Sequence, residues 1–163
     1  MLRDSSTKKP GLYDHVARIA RIAVIRAEYN ANITTSLEEK CVETLRAAGV
    51  PDSGLDRFAV PGCFEIPIFA QRLAEQKRYD IMIALGAVIR GQTHHFDLVA
   101  NECARGVMEV SLKYDVPIIF EVLAVYRRRD ALARAGNNVR NKGIEAAQAA
   151  LEMLSKLNAL KNE

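Results

Sequence analysis

The chain has 163 residues, of which 49% are apolar and 26% charged, and a formal net charge of +3. That length suits one domain with its own core, and the balance is ordinary for a globular protein. No apolar run approaches the roughly 20 residues that a membrane span needs, and no interleaving of basic and aromatic residues makes a case for nucleic acid.

In chain order, residues 1–15 read as a mobile arm, with Pro10 and Gly11 as breakers. They lack the apolar segment of a signal peptide, so a cytoplasmic protein is expected. Residues 16–163 read as a single domain. An apolar run of strand length covers 19–25. Ile33, Leu37, Cys41 and Leu45 recur every four residues and predict a helix over 30–48, closed by Gly49. A second strand over 55–60 stops at Pro61-Gly62, and a helix over 67–77 follows. The strand over 80–88 is apolar at nearly every position, as one covered on both faces should be. Val99, Cys103, Val107 and Val110 mark one face of a helix over 97–114, and a fourth strand spans 116–125. The run Arg127-Arg128-Arg129 reads as a solvated loop. A short helix covers 130–135, and Ile144, Ala147, Leu151, Leu154 and Leu157 predict a long amphipathic helix over 142–160.

Strands separated by helices imply right-handed crossovers and a parallel sheet. The expected fold class is α/β: a three-layer flavodoxin-like domain whose central four-stranded parallel sheet is flanked by helices. Ligands in such folds bind beyond the carboxyl ends of the strands. Residues 26–30, 61–66, 88–95 and 120–125 fall there, and they hold the unusual side chains.

The most unusual stretch runs from Gly86 to Asp97, GAVIRGQTHHFD. Gly91, Gln92 and Thr93 put backbone N–H groups and a hydroxyl at a helix start, which suits an anion; an ordinary N-cap by Thr93 fits the same residues. His94 and His95 follow, and histidine shuttles protons near neutral pH. Neighbours in a loop do not easily face one ligand, so one of the two is a bystander. In Pro61-Gly62-Cys63-Phe64-Glu65-Ile66-Pro67, Glu65 offers acceptors to ligand hydroxyls or caps the next helix, while Phe64 suits the core. Cys63 lacks an evident activating partner and reads as packing. Tyr29 either stacks on a flat heterocycle or packs at a rim. Arg134, Lys142 and Glu145 flank the last loop; arginine pairs well with phosphate oxygens, and a surface charge fits as well. Cys41, Cys63 and Cys103 are widely spaced, so reduced thiols and no metal are expected.

Five stretches together resemble the lumazine synthase family: PGCFEIP, LGAVIRGQTHHFD, VPIIFEVLA, RAG and NKGIEAAQAALEM. Their order and spacing fit over about residues 19–153. The resemblance implies condensation of 5-amino-6-(D-ribitylamino)uracil with 3,4-dihydroxy-2-butanone 4-phosphate, with no cofactor. It implies that Tyr29 stacks on the pyrimidine, that Val88 and Ile89 lie against it, and that Cys63 and Glu65 hold the ribityl chain beside Phe64. Gln92 and Thr93 match the phosphate-binding turn, and His95 matches the proton-transfer histidine, which leaves His94 as the bystander. Phe120, Arg134 and Lys142 match residues donated by a neighbouring subunit, with Arg134 on the phosphate. The family implies a homo-oligomer built from pentamers; the short stretch 136–142 fits members that close sixty-subunit shells. Riboflavin synthase is a further partner expected on this basis, and the arm before Val16 is expected to reach a neighbour's sheet edge.

The chain also departs from the family's commoner pattern. Glu121 stands where glycine is usual, residues 124–130 replace a Thr-rich turn ending in Glu-Gln, and Tyr29 replaces Phe or Trp. Strand alternation should point Glu121 away from Phe120, so it need not face the ligand; facing it, its charge would disfavour phosphate. Beside the enzyme stand two other functions: a module that holds a flavin or lumazine without turnover, and a shell protein. His95, Arg134 and Lys142 together favour the enzyme, because neither alternative needs that set.

Overall fold

The computed structural model describes residues 11–161. Residues 1–10 of the expected arm lie outside them; residues 11–13 form a turn into a short helix, α1 (Asp14–Ala17), and Tyr13 packs against the core. Then β1 (Ile22–Ala27), α2 (Ala31–Ala47), β2 (Leu55–Val60), α3 (Ile66–Glu75), β3 (Ile81–Ile89), α4 (His95–Tyr114), β4 (Ile118–Val125), α5 (Arg128–Arg134) and α6 (Lys142–Lys161) follow. The four strands pair in parallel in the order β2-β1-β3-β4. This is the expected three-layer flavodoxin-like α/β fold.

The sheet divides the interior into two cores. Ile22 and Val24 of β1, with Ile81, Ile83 and Leu85 of β3, pack beneath α2 and α6. The alternate residues Ala23, Ile25, Met82 and Ala84 pack beneath α3 and α4. Period-two alternation therefore sends both sets of β3 side chains into apolar surroundings, which explains its unbroken apolar run. Burial on this scale, at about 25 cal/mol per Å² of apolar area, is the main source of stability.

Two contacts set the depth of the site. The Glu38 carboxylate of α2 is buried and accepts from Arg26 Nε at 3.0 Å and Arg57 Nε at 3.1 Å, tying α2 across β1 and β2. At the start of α6, a methyl group on Gly143 would lie 2.0 Å from the Leu37 carbonyl oxygen, so only glycine lets α6 rest on the α2 backbone. Asn141, fully buried, holds that approach: its Oδ1 accepts from Gly143 N at 2.8 Å and its Nδ2 donates to Gly136 O at 3.0 Å.

Several boundaries differ from expectation. The first strand starts at Ile22 rather than at residue 19, and Ile19 is 76% exposed. Asp80 brackets Arg21, accepting from its N at 2.8 Å and donating to its O at 2.9 Å, so sheet pairing opens with Ile22 against Ile81. The arginine run is also not all loop, because α5 begins at Arg128. The fourth helix starts at His95, two residues earlier than its apolar face suggests.

Candidate active site

The carboxyl ends of β1, β2 and β3 open onto one cleft of about 1060 Å³. Past β1, the parallel pairing continues for two more residues: Glu28 N donates to Val60 O at 2.8 Å and Tyr29 N to Pro61 O at 3.1 Å. Asn30 then takes a left-handed conformation (φ 61°), which asparagine tolerates, and its Nδ2 donates to Ala87 O at 2.9 Å. These bonds tie the end of β1 to the segments after β2 and within β3, leaving Tyr29 74% exposed at the cleft edge.

After β2, residues Cys63–Glu65 form a single 3-10 turn that runs into α3, with Pro67 in its first turn. Cys63 is buried over Gly86, where a methyl group would lie 2.5 Å from its Sγ. Burial pushes its thiol up to about 11, so near neutral pH it stays protonated. That is a packing cysteine at the cleft wall, without the activation a nucleophile needs. Phe64 is not in the core; it is 55% exposed and lines the cleft. The Glu65 carboxylate lies over Gly62, where a methyl group would come within 3.0 Å of its Oε2, and it too lines the cleft.

Beyond β3, Val88 and Ile89 form the floor, and Arg90 N donates to Val125 O at 2.9 Å. Thr93 and His95 line the cleft, while Gln92 sits exposed in the same turn without lining it. Thr93 Oγ1 accepts from His95 N at 3.4 Å, a long bond, so the hydroxyl caps α4 only weakly and keeps acceptor and donor capacity. His94 points into solvent, its ring nitrogen 3.6 Å from Asp97, and does not line the cleft. Of the two imidazoles, His95 is therefore the one beside the cleft.

Arg128 is the residue that sequence reading missed. Apart from His95, it is the only basic side chain lining the cleft among the described residues, and its Nη2 donates to Asn32 Oδ1 at 2.8 Å. A run of three arginines resembles a solvated loop; only the tertiary structure, which seats α5 beside β3 and β4 and bonds Arg128 to Asn32 at the start of α2, turns the middle one toward the cleft.

Phe120, Arg134 and Lys142 lie away from this cleft. Phe120, opposite Ala84 in the sheet register, is 39% exposed on the edge strand. Arg134 donates back to Asp130 O at 2.8 Å, and Lys142 pairs with Glu145. Glu121 shares its strand face with Leu123 and Val125, toward α2 and α6, as alternation requires. There burial raises its carboxyl to about 7 and Glu145 adds to the rise, while the Lys142 charge opposes it.

The cleft thus combines two exposed aromatics, Tyr29 and Phe64, two carboxylates, Glu65 and Glu102, an anion-suited turn and an imidazole on mostly apolar walls. Among the described residues, no group of three or more histidine, cysteine or acidic side chains is arranged to hold a metal, and no helix is long and apolar enough to cross a membrane. A family model described as 6,7-dimethyl-8-ribityllumazine synthase matches residues 19–158, and the chain belongs to that family.

Proposed function

We propose that this member of the lumazine synthase family condenses 5-amino-6-(D-ribitylamino)uracil with 3,4-dihydroxy-2-butanone 4-phosphate to 6,7-dimethyl-8-ribityllumazine, phosphate and water. The observation that carries the reading is that Tyr29, Glu65, Thr93 and His95 open onto one cleft. Its volume of about 1060 Å³ is at the top of the range for small-ligand sites, roughly 300–1,000 Å³. Two small reactants fit such a space together, and holding them there supplies proximity.

In this reading Tyr29 stacks on the pyrimidine, Val88 and Ile89 support its other side, and Glu65, with the Cys63–Phe64 backbone, holds the ribityl hydroxyls. Thr93 and the N–H groups around Gln92 take the phosphate. The substrate amine attacks the ketone carbon and water leaves as the imine forms. Loss of the C3 proton as the C–O bond to phosphate breaks leaves an enol at C3; its tautomerisation to a ketone supplies the carbonyl on which the ribityl-bearing nitrogen closes the second ring with loss of water. His95 accepts and returns protons, a role worth about 10²–10⁴ in rate. No step needs a covalent nucleophile, in keeping with the protonated Cys63.

The same proposal extends to assembly. Phe120, Arg134 and Lys142 complete the cleft of a neighbouring chain in a closed ring, with Arg134 on the phosphate. The support is apolar surface left in water at the cleft rim and on the sheet edge: Phe64 and Leu98 are 55% and 61% exposed, and Phe120 39%. Pentamers that close into a sixty-subunit shell, riboflavin synthase as partner, a single domain and a cytoplasmic setting belong to the same reading.

The test is direct. Mixing both substrates with the protein and following lumazine absorbance should show acceleration over the protein-free mixture; no acceleration overturns the reading. Light scattering should give a mass that is a multiple of five chains, and a monomer would remove the shared site.

A further inference from the structure

The turn that carries Thr93 and His95 is the least enclosed part of the cleft. Residues 90–95 are all exposed. The turn is entered through one backbone bond, Arg90 N to Val125 O at 2.9 Å, and the bond inside it, from His95 N to Thr93 Oγ1, is long at 3.4 Å. An exposed turn held this lightly would have to be ordered each time it bound an anion, and that ordering subtracts from affinity.

Tyr126 follows directly on Val125 and meets both ends of this turn. Cζ of Arg90, the residue that enters it, lies 5.2 Å from the Tyr126 ring centroid. The ring of Phe96, just past the residues that close it, lies 6.0 Å away with the planes inclined at 32°. Both separations are in the range of cation–π and aromatic attraction. Tyr126 itself is 68% exposed, so core packing does not account for where its ring stands. It also belongs to the stretch 124–130 in which this chain departs from the family's commoner pattern.

We propose that Tyr126 is a positioning residue that braces the anion-binding turn from outside the cleft. By holding Arg90 and Phe96 at a fixed separation, it shortens the range of shapes open to residues 91–95 before ligand arrives. Thr93 and the turn's N–H groups are then aimed in the free protein, and the guanidinium of Arg90 stays at the turn's entrance. Tyr126 touches no reacting atom, and the phenol hydroxyl has no part in the brace; the ring does. The inference rests on the reading that this turn takes the phosphate.

The full-length chain carrying Tyr126→Ala or Tyr126→Phe tests it through three readouts. These are KM for each substrate, competitive inhibition by inorganic phosphate, and backbone amide exchange over residues 91–95. For Tyr126→Ala, KM for the butanone phosphate and Ki for phosphate should each rise about five- to tenfold, with KM for the pyrimidine unchanged and amide exchange faster. Tyr126→Phe should behave as wild type. Unchanged exchange with unchanged phosphate affinity in Tyr126→Ala overturns the brace, and so does an equal rise in both KM values with Ki unmoved. If the wild-type chain shows no turnover, the proposed reaction fails, while phosphate binding and amide exchange still decide the brace.

Discussion

Tyr29, Glu65, Val88 and His95 come from three separated segments and share one cleft, whereas Phe120, Arg134 and Lys142 come from the single stretch 120–142 and line none of it. The reason is where along the sheet each group stands. Val88 and Ile89 are at the carboxyl end of β3, but Phe120 pairs with Ala84, four residues earlier and so about 13 Å down the strand. Side chains of the same sheet at opposite heights cannot meet in one protomer. The first group is organised by the strand ends; the second, on an edge strand and the outer helices, is the one proposed to complete a neighbour's cleft. The two also differ in electrostatic company. The cleft holds Glu65, Glu102 and Arg128 on largely apolar walls, with Glu102 already paired to Arg105, whereas Lys142 sits between two carboxylates, Glu121 and Glu145.

His95→Ala should have the largest effect, lowering kcat about 10²–10⁴-fold with the assembled mass unchanged. An unchanged kcat would remove the imidazole from the cleft group's chemistry. Arg134→Ala comes next and should raise KM for the butanone phosphate about 10- to 100-fold, since a charge-assisted pair to phosphate is lost. Refolding equal amounts of the two variants together sharpens the division further. If each cleft takes its second half from a neighbour, about one interface in four is then fully wild type and activity returns toward that fraction. Activity that stays at the level of the separate variants would place both residues on one protomer's site.

Glu121→Gln probes the other region by pH. The Glu121 carboxyl rises from its ordinary 4.5 to about 7 on folding, through burial first and Glu145 second. The folded state therefore keeps a proton that the unfolded chain has already lost, and stability falls as pH climbs from 4.5 toward 7. The full cost is present above 7. Glutamine should thus stabilise the protein by about 1–3 kcal/mol at pH 8 and by much less at pH 5, read by denaturant unfolding. A gain of equal size at both values would mean that the charge is not what burial penalises. The smallest effect is expected at the cleft rim: Tyr29→Ala should raise KM for the pyrimidine about five- to tenfold, with Tyr29→Phe near wild type. A matching loss in the phenylalanine variant would assign the role to the hydroxyl instead of the ring.

Much of this is legible in the sequence. The unbroken apolar run of β3 announced a central strand, and residues four apart in α2 announced a helix face. The glycine turn before Thr93 and His95 marked the end of a strand that opens onto the cleft. What misled were residues whose type does not report their exposure. Ile19 is apolar but solvent-facing, Phe64 is aromatic but outside the core, and Arg128 is charged in a charged run but turned to the cleft. The residues expected to come from a neighbour were legible only through family resemblance, because one chain's periodicity carries no information about a second chain.

By itself, then, the sequence determined the alternation of strands and helices, the parallel sheet and the segments that gather at its carboxyl edge. Hydrophobic period and turn chemistry are local properties of the chain. Tertiary structure alone decided the register that lowers Phe120 away from Val88, the burial that keeps Glu121 protonated near neutrality, and the meeting of Arg90, Phe96 and Tyr126 around the turn. Each depends on distances between residues far apart in the chain, which only the packing of the whole sheet and its helices sets.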